Sequence, residues 1–468
     1  MGSRRLYRDQ ALIAMSQSSN AVPQPTDLLI TGGCVVTLDA NSTIHYPGSV
    51  AISNGSILAI GPSSEIDSAY MPQERLQARD HVVMPGLINI HGHASNSLIR
   101  GLGSDLPLHE WLQKVCWPCM SHADDEDIYN GVLLSCLEML LNGVTTFADM
   151  WAGVGLAAEA VAVSGGRALL AHNIKDFDDP ARGERELAIA IEAWERWNGY
   201  AGGRVMVGLG PHSVYACRRE LLAACADVAR SHEIHLQVHG SETAREVEEC
   251  RAQYGCSPIE LMAEVGLLGQ QTIVAHAVHL DDSDIQLLQS TASSVAYNIV
   301  SNLKLASGIA PVHRYLAAGI CVGIGTDGPG SNDGLDLLGD LKYATLVQKV
   351  ITGDATCLPA ETALAMATHY GAQALGIGDR LGTLEVGKQA DIILVNLDQP
   401  RFTPRHFSYA PNILSLLVAC ATGADVDTVI VGGQILVRDS QPVSLDPAAI
   451  QENAQQSSVK ILRASGIL

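Results

Sequence analysis

The sequence predicts an α/β protein with an eight-stranded, TIM-like (β/α)8 barrel and a small β-sandwich domain built from both chain ends. Short apolar strands alternate with amphipathic helices between residues 85 and 381, which is the repeat that such a barrel requires over about 250–300 residues. Strand-like patterns both precede and follow this region. No Gly-rich phosphate loop follows the first strand, which argues against the alternative of a doubly wound open sheet.

Three parts are predicted along the chain. Residues 1–26 lack a periodic apolar pattern and are expected to be a flexible tail. Residues 27–84 and 382–468 are expected to form the β-sandwich domain together, because Asn54-Gly55 between apolar runs predicts a hairpin and similar strand patterns return near the other end. Residues 85–381 are expected to form the barrel, so the two ends of the chain should meet in space.

Each predicted barrel strand is a short apolar run bounded by turn or helix signals. The eight runs are 87–91, 145–148, 168–173, 205–210, 234–239, 272–276, 294–298 and 321–326. Helical patterns lie between the later runs, at 220–229, 283–290 and 311–318. Because active sites of these barrels lie at the C-terminal ends of the strands, polar residues at those ends are the candidates for a functional site.

The bulk composition excludes several kinds of partner. The net charge of −21 argues against nucleic acid and anionic membranes, since both require clustered Lys and Arg, and favours a small-molecule substrate. No apolar run reaches the ~18–20 residues needed to span a bilayer. The 11 scattered cysteines are not the pattern of a secreted disulfide framework, so a cytoplasmic location is expected.

His91 and His93 are the first sign of a metal site. Residues i and i+2 of a strand project to the same face, so both imidazoles can reach one ion. Two surface histidines would give the same short motif, but other polar residues end or follow later strands at the same predicted rim: His212, His239, His276 and Asp327. Six such positions are unlikely to coincide by chance.

Three imidazoles and one carboxylate form the candidate ligand set, namely His91, His93, His239 and Asp327. This set suits one divalent metal of borderline softness with a position left open for water, so Zn²⁺ is expected first and Fe²⁺ second. Glu242 follows His239 by three residues and is a candidate general acid/base that could move a proton from an activated water to a ring nitrogen. The alternative for Glu242 is an ordinary acid in the first turn of a helix.

Together, these residues and several longer motifs resemble the amidohydrolase superfamily, nearest to its methylthioadenosine/S-adenosylhomocysteine deaminases and the related triazine hydrolases. The motifs include PGLINIHGHASNSLIRGL, DLPLHEWL, GVTTFADM, GPHSVY, HGSET, AHAVHLDDSDI, GTDGPGSND and LEVGKQADIILV. The resemblance runs from about residue 27 to residue 437. It implies a metal-dependent hydrolytic deaminase of an amino-substituted N-heteroaromatic such as a purine, pterin or triazine. The alternative is displacement of another leaving group by the same chemistry: chloride, an alkylamine, or the amine of a urea or carbamate.

The resemblance also implies roles for individual residues. It makes Glu242 the proton shuttle, His276 a hydrogen-bonding partner of the attacking water or the tetrahedral centre, and Asp327 a second catalytic group beside its role as a ligand. It places His212 and Ser331 near the substrate. A single metal ion and a homo-oligomer, either a dimer or a tetramer, are further expectations from the resemblance.

The expected substrate-binding residues depart in part from the deaminase pattern. Met120 stands about where the deaminases have a glutamate for ribose hydroxyls, and Tyr297 stands where they usually have a histidine. Trp111 and Trp117 are candidates for stacking on a flat ring, although aromatic residues near a helix end are also common in a core. Asn302, His212 and Ser331 complete the expected set of substrate-binding residues. A changed substrate pocket around intact catalytic groups is therefore predicted.

Overall fold

The computed structural model describes residues 22–407 and 411–467. The predicted tail, residues 1–26, lies mainly outside the described residues, and the first strand begins at Gln24. The proposed domain limits at 84/85 and 381/382 stay predictions. No helix in the described ranges is both long and apolar enough to cross a membrane.

Strands of the described chain form two sheets. They are β1 (Gln24–Val36), β2 (Ile44–Ser53), β3 (Ser56–Pro62), β4 (Tyr70–Gln77), β5 (His81–Pro85), β6 (Leu87–Asn89), β7 (Val144–Met150), β8 (Arg167–Ile174), β9 (Val205–Pro211), β10 (Leu236–Gly240), β11 (Thr272–His276), β12 (Ser294–Tyr297), β13 (Val322–Ile324), β14 (Ile392–Asn396), β15 (Val426–Val431), β16 (Gln434–Arg438) and β17 (Gln441–Pro442).

The described chain contains α-helices before, within and after the barrel region. They are α1 (Ser63–Ala69), α2 (Leu108–Trp111), α3 (Trp117–Met120), α4 (Asp125–Leu141), α5 (Val154–Ser164), α6 (Pro180–Trp197), α7 (Tyr200–Gly203), α8 (Arg219–His232), α9 (Ala244–Tyr254), α10 (Pro258–Glu264), α11 (Asp282–Ser290), α12 (Ile299–Lys304), α13 (Val312–Ala317), α14 (Pro329–Asn332), α15 (Leu337–Thr352), α16 (Ala360–Met366), α17 (His369–Ala374), α18 (Ile413–Cys420) and α19 (Pro447–Ala464).

Strands β6 to β13 form the barrel, in sequence order and parallel. The Ile90 N–H donates to the Ile324 carbonyl at 3.0 Å, which joins the first strand region to the last and closes the sheet. Burial on both sides of the sheet explains the nearly continuous apolar runs of these strands. All eight predicted barrel strands are present, with boundaries that differ by a few residues, and the predicted fold class is confirmed.

Both ends of the chain contribute to the second sheet, as predicted. Its strand order is β17-β16-β15-β14-β5-β1-β2-β3, with β4 also paired to β1. Strands β14 and β5 are antiparallel neighbours, with Ile392 opposite Pro85, so the two chain ends meet directly. The hairpin predicted at Asn54-Gly55 is confirmed by the pairing of Ser53 with Ser56. The strands make one continuous mixed sheet of nine.

An ion pair ties this sheet to the barrel. The Arg167 guanidinium, at the start of β8, donates to both carboxylate oxygens of Asp391 at 2.7 and 3.0 Å. Asp391 also accepts the Gly432 N–H at 2.7 Å, and its side chain is 3% exposed. A bidentate pair of this kind fixes orientation as well as distance. The sheet therefore has a defined position at the N-terminal end of the barrel strand β8.

A buried acid supports the loop that follows the last barrel strand. The Asn332 amide donates to the Thr326 carbonyl at 2.8 Å and to Asp340 Oδ2 at 3.1 Å. Asp340 lies on α15, and burial raises its pKa to about 8, with the nearby charge of Asp336 adding to the effect and the Asn332 hydrogen bond opposing it. The carboxyl is therefore mainly protonated in the folded protein at neutral pH.

We predict that Asp340 makes folding less favourable as pH rises. The pKa of Asp340 is higher in the folded than in the unfolded protein, so its contribution to the free energy of unfolding is complete below about pH 4. This contribution is lost progressively between about pH 4 and 8, by up to about 1.4 kcal/mol per pH unit. The free energy of unfolding of Asp340→Asn, measured by urea titration from pH 5 to 8, should rise relative to wild type over this range. The exposed control Asp379→Asn should parallel wild type. A constant difference between Asp340→Asn and wild type would contradict the prediction.

Candidate metal centre and active site

Four predicted ligand side chains converge at the C-terminal ends of the barrel strands. The Nε2 of His93 lies 3.2 Å from His239 Nε2 and 3.2 Å from Asp327 Oδ1. The Nε2 of His91 lies 3.6 Å from the same carboxylate oxygen. All four side chains are buried. The barrel therefore brings together residues that lie up to 236 positions apart, on three different strand ends.

The protonation of two imidazoles shows what this cluster can bind. His93 Nδ1 lies 2.8 Å from the Met150 carbonyl, and His239 Nδ1 lies 2.7 Å from the His212 carbonyl. A carbonyl accepts, so each Nδ1 carries a proton, and a ring protonated only there presents a lone pair at Nε2. Burial, with the neighbouring His93 and His276, lowers the pKa of His239 well below its usual value and keeps this ring neutral. With both rings protonated only at Nδ1, the two Nε2 atoms, 3.2 Å apart, can bind one cation together.

His91 and Asp327 complete this donor set. Neither ring nitrogen of His91 has a hydrogen-bond partner within the described part of the chain, although both are buried. Burial opposes ionisation of Asp327, but attraction to His93, His276 and His91 when these rings carry positive charge, with the hydrogen bond from Ser301, outweighs it and holds the carboxyl pKa well below its usual range. Three imidazoles and one carboxylate are therefore available: His91, His93 and Asp327 lie close enough to hold one ion, and His239 Nε2 is 3.2 Å from His93 Nε2. Such a donor set fits a divalent metal ion.

Two hydroxyls fix the orientation of the Asp327 carboxylate. Ser301 donates to Oδ2 at 2.6 Å and Ser331 donates to the same oxygen at 2.7 Å. The Gly328 N–H donates to Oδ1 at 2.8 Å. The backbone at Asp327 has φ of 62°, a left-handed value that non-glycine residues adopt rarely and that is concentrated at functional sites.

Glu242 lies in the wall of the same cavity. It follows β10, and its carboxyl accepts a hydrogen bond from Ser307 at 3.2 Å through Oε1, while Oε2 is 3.7 Å from His276 Nε2. Burial, followed by the charges of Asp327 and Glu246, raises the pKa of Glu242 well above its usual value. A carboxyl with a raised pKa beside a group that activates water is suited to both accepting and returning a proton.

Asn302 fixes which ring nitrogen of His276 carries the proton. The Asn302 amide donates to His276 Nδ1 at 2.9 Å. Burial lowers the pKa of His276 to about 4, so the ring is neutral and carries its single proton on Nε2. That N–H points towards Glu242 and the cavity. His276 is thus placed as a hydrogen-bond donor, although its ring lies close to His91 and His239.

Most of the predicted substrate contacts line the inner cavity, which holds about 30 Å³ beside His93, His239 and Asp327. Trp111, Trp117, His212 and Ser331 all contribute to its wall. A larger outer cleft of about 460 Å³ lies next to it and shares Trp117. These four residues are therefore placed where a bound molecule could contact them.

Three other predicted contacts lie elsewhere. Met120 lines only the outer cleft. Asn302 is buried behind His276 and does not line either cavity. Tyr297 points away from the barrel interior, since its hydroxyl accepts from Gln348 of α15 at 3.0 Å within the apolar core. The structure does not bring Tyr297 to the cavity, because alternate residues of a strand face opposite sides of the sheet.

Several cavity residues were not predicted from the sequence. Trp151 lines both the inner cavity and the outer cleft, and Tyr215 lines the inner cavity. Trp151 directly follows β7, so its position at a strand end was a usable signal. Asn173 and Lys175 line the outer cleft at the end of β8, and Lys175 Nζ lies 5.5 Å from the centre of a Trp151 ring.

Comparison with known proteins identifies the class to which this barrel and site belong. Residues 82–436 match the amidohydrolase family. The match covers most of the chain, and the chain belongs to the amidohydrolase family. The resemblance predicted from the sequence is confirmed.

Individual relatives span nearly the whole chain. A 5-methylthioadenosine/S-adenosylhomocysteine deaminase of Desulforudis audaxviator is 41% identical over 437 residues, which cover 93% of this chain and 99% of the relative. The solved structure of an adenosine deaminase from Xanthomonas campestris with bound zinc is similar with a TM-score of 0.89 and 32% identity, over 94% of this chain and 100% of the other. The atrazine chlorohydrolase of Arthrobacter aurescens complexed with zinc gives a TM-score of 0.83 and 27% identity, over 92% and 100%.

We predict that removal of a ligand side chain abolishes metal binding. Asp327→Ala and His239→Ala, purified from zinc-supplemented medium, should each contain almost no metal by inductively coupled plasma mass spectrometry, whereas wild type should contain one equivalent. His212→Ala is the matched control, because it lines the same cavity and its backbone carbonyl still orients His239. Wild-type metal content in Asp327→Ala, or equal loss in His212→Ala, would contradict the assignment.

Proposed function

We propose that the protein is a zinc-dependent hydrolytic deaminase that removes the exocyclic amine of an adenine nucleoside carrying a substituent at its 5′ position. The observation that carries the proposal is that five side chains line one cavity and that His91 lies within reach of them; the five are His93, His239, Glu242, His276 and Asp327. Similarity to a curated methylthioadenosine/S-adenosylhomocysteine deaminase over nearly the whole chain supports the substrate class.

His91, His93, His239 and Asp327 would hold one divalent metal ion. When bound, such an ion lowers the pKa of a water molecule to about 7 and so supplies a nucleophile at neutral pH. Zinc is favoured because imidazole and carboxylate ligands suit it and because similar solved structures contain zinc. One ion per subunit, a dimeric or tetrameric assembly and a cytoplasmic location stay predictions.

Glu242 would move the proton. Hydrolysis at a C–NH2 carbon needs one proton removed from the attacking water and one delivered to a ring nitrogen, and a single carboxyl can do both in turn. The hydrogen bond from Ser307 holds Oε1, which leaves Oε2 directed towards His276 and the cavity. The raised pKa of Glu242 makes its protonated form accessible near neutral pH, as the delivery step requires.

His276 and Asp327 would act on the tetrahedral centre. The Nε2–H of His276 can donate to the incoming oxygen as negative charge develops there, which favours the transition state over the ground state. Asp327 stays ionised, with its Oδ2 held by Ser301 and Ser331, and can orient the water and then assist proton delivery to the departing amine.

The two connected cavities suit a substrate with a flat ring and an extended substituent. The inner cavity has the volume of about one water molecule, so a purine requires its wall, which includes segment 108–120 and Trp151, to move outward. Trp117 and Trp151 separate it from the outer cleft, where the sugar and its 5′ substituent would lie. Met120 offers no acceptor there, but the buried Asn173 amide has no partner among the described residues and can bind sugar hydroxyls.

We predict ammonia release from 5′-substituted adenosines. The zinc-loaded enzyme should be assayed with methylthioadenosine, S-adenosylhomocysteine, adenosine and atrazine, with ammonia and chloride measured separately in each reaction. The first two should give the highest kcat/KM, with ammonia as the product. Chloride release from atrazine without deamination of any nucleoside would instead favour the alternative leaving-group chemistry, and inactivity on all four compounds would overturn the proposal.

We also predict that Glu242→Gln loses turnover while it keeps the metal. Replacement of the carboxyl by an amide removes the proton carrier, so kcat should fall by about 10²–10⁴-fold, the usual contribution of a general acid or base. Zinc content should match wild type, because Glu242 is not among the proposed ligands. A near-normal kcat in this variant would remove the shuttle role.

A further inference from the structure

Glu246, four residues after Glu242, is a buried acid that has no role in the reaction proposed above. It lies in the first turn of α9, with its N–H bound to the side chain of Thr243, and it is 1% exposed. Its Oε2 accepts the backbone N–H of Glu242 at 2.7 Å. A helix-capping acid ordinarily accepts from the N-cap residue itself, so this hydrogen bond reaches one residue further back, to the proposed proton carrier.

The turn that carries Glu242 is held on its other side by the segment 277–279, which directly follows the next barrel strand, β11. The Gly240 carbonyl accepts the Ala277 N–H at 3.1 Å, and the Ser241 carbonyl accepts the N–H groups of Val278 and His279 at 3.0 and 2.9 Å. These contacts fix the two peptides before Glu242. The N–H of Glu242 faces the opposite way, and in the described chain Glu246 is the group that binds it.

We propose that Glu246 is a positioning residue, whose carboxyl oxygen holds the Glu242 peptide and thereby aims the Glu242 side chain between Ser307 and His276. This inference rests on the proposed function of Glu242. The turn is strained, since Ser241 has φ of 52°, and strain of this kind persists only where surrounding contacts impose it. Without an acceptor at residue 246, the buried N–H of Glu242 would be unsatisfied, and the Ser241–Glu242 peptide would be held only at its carbonyl side.

An oxygen acceptor, rather than a negative charge, is what this role requires. Burial raises the pKa of Glu246 to about 7, against the backbone N–H groups of Glu242, Ser241 and Thr243, which lower it. The carboxyl is thus partly protonated at neutral pH, and a protonated carboxyl still offers its carbonyl oxygen. A glutamine has nearly the same shape and the same acceptor, whereas a methionine has a similar volume without it.

Paired variants test the proposal. Glu246→Gln should keep kcat close to wild type, whereas Glu246→Met should lose about tenfold to 10²-fold in kcat, the effect expected when a catalytic group is displaced. KM should change little in both, because ground-state binding does not depend on Glu242. Zinc content and the melting temperature should be measured for each, with the exposed Glu248→Gln and Glu248→Met as matched controls on the same helix.

A crystal structure of zinc-loaded Glu246→Met gives a readout that does not depend on activity. The Glu242 carboxyl should have moved away from His276, while the four proposed ligands stay in place. Wild-type kcat in Glu246→Met with an unmoved Glu242 would overturn the positioning role, as would an equal loss of kcat in Glu246→Gln. If wild type itself hydrolyses none of the tested compounds, the proposed function fails, and the position of Glu242 in the crystal still decides the role of Glu246.

Discussion

The site depends on hydrogen bonds that hold each inward-facing group from behind. The Met150 and His212 carbonyls accept hydrogen bonds from the Nδ1–H groups of His93 and His239. The Ser301 hydroxyl donates to the carboxylate of Asp327. Each bond leaves a lone pair or a charge directed at the same small volume. Such an arrangement is unfavourable in a buried cavity by itself wherever an unprotonated ring nitrogen faces another acceptor without a donor between them. A cation at this point would satisfy them together, and the supporting bonds prevent the rings from rotating to find other partners.

Barrel closure creates this volume. Two candidate ligands follow the first strand and one follows the last, so they become neighbours only when β6 and β13 meet. Asn89 joins these strands, since its amide donates to the Thr326 hydroxyl at 2.7 Å and its carbonyl accepts the Thr326 N–H at 3.1 Å. The Asp327 N–H then donates to the His91 carbonyl at 3.0 Å. Folding of the barrel and assembly of the site are therefore one event, and the two halves of the donor set cannot meet in a partly closed sheet.

The strands and the cluster could be predicted from the sequence because both follow from local spacing. Apolar runs mark buried parallel strands, and a polar residue at the end of such a run falls on a known rim. The substrate wall could not be predicted in this way. Tyr297 lies on a strand, yet its ring enters the core beside Gln348, and Met120 lies on a short helix that turns it towards the outer cleft. Trp151 lines both cavities, and its place directly after β7 indicates the rim but not the direction of its ring.

The chemistry and the specificity of this protein are thus supported by different parts of the chain. The donor set and Glu242 depend on barrel strands, whereas the wall segment 108–120 packs with the C-terminal helix α19 in a separate apolar cluster that includes Trp111, Cys116 and Ile461. That helix also donates from Ser458 to the Leu98 carbonyl. Substitutions in the wall or in α19 can reshape the substrate cavity while the strand ends stay fixed. A pocket that departs from the deaminase pattern at Met120 can therefore coexist with an unchanged set of proposed ligands.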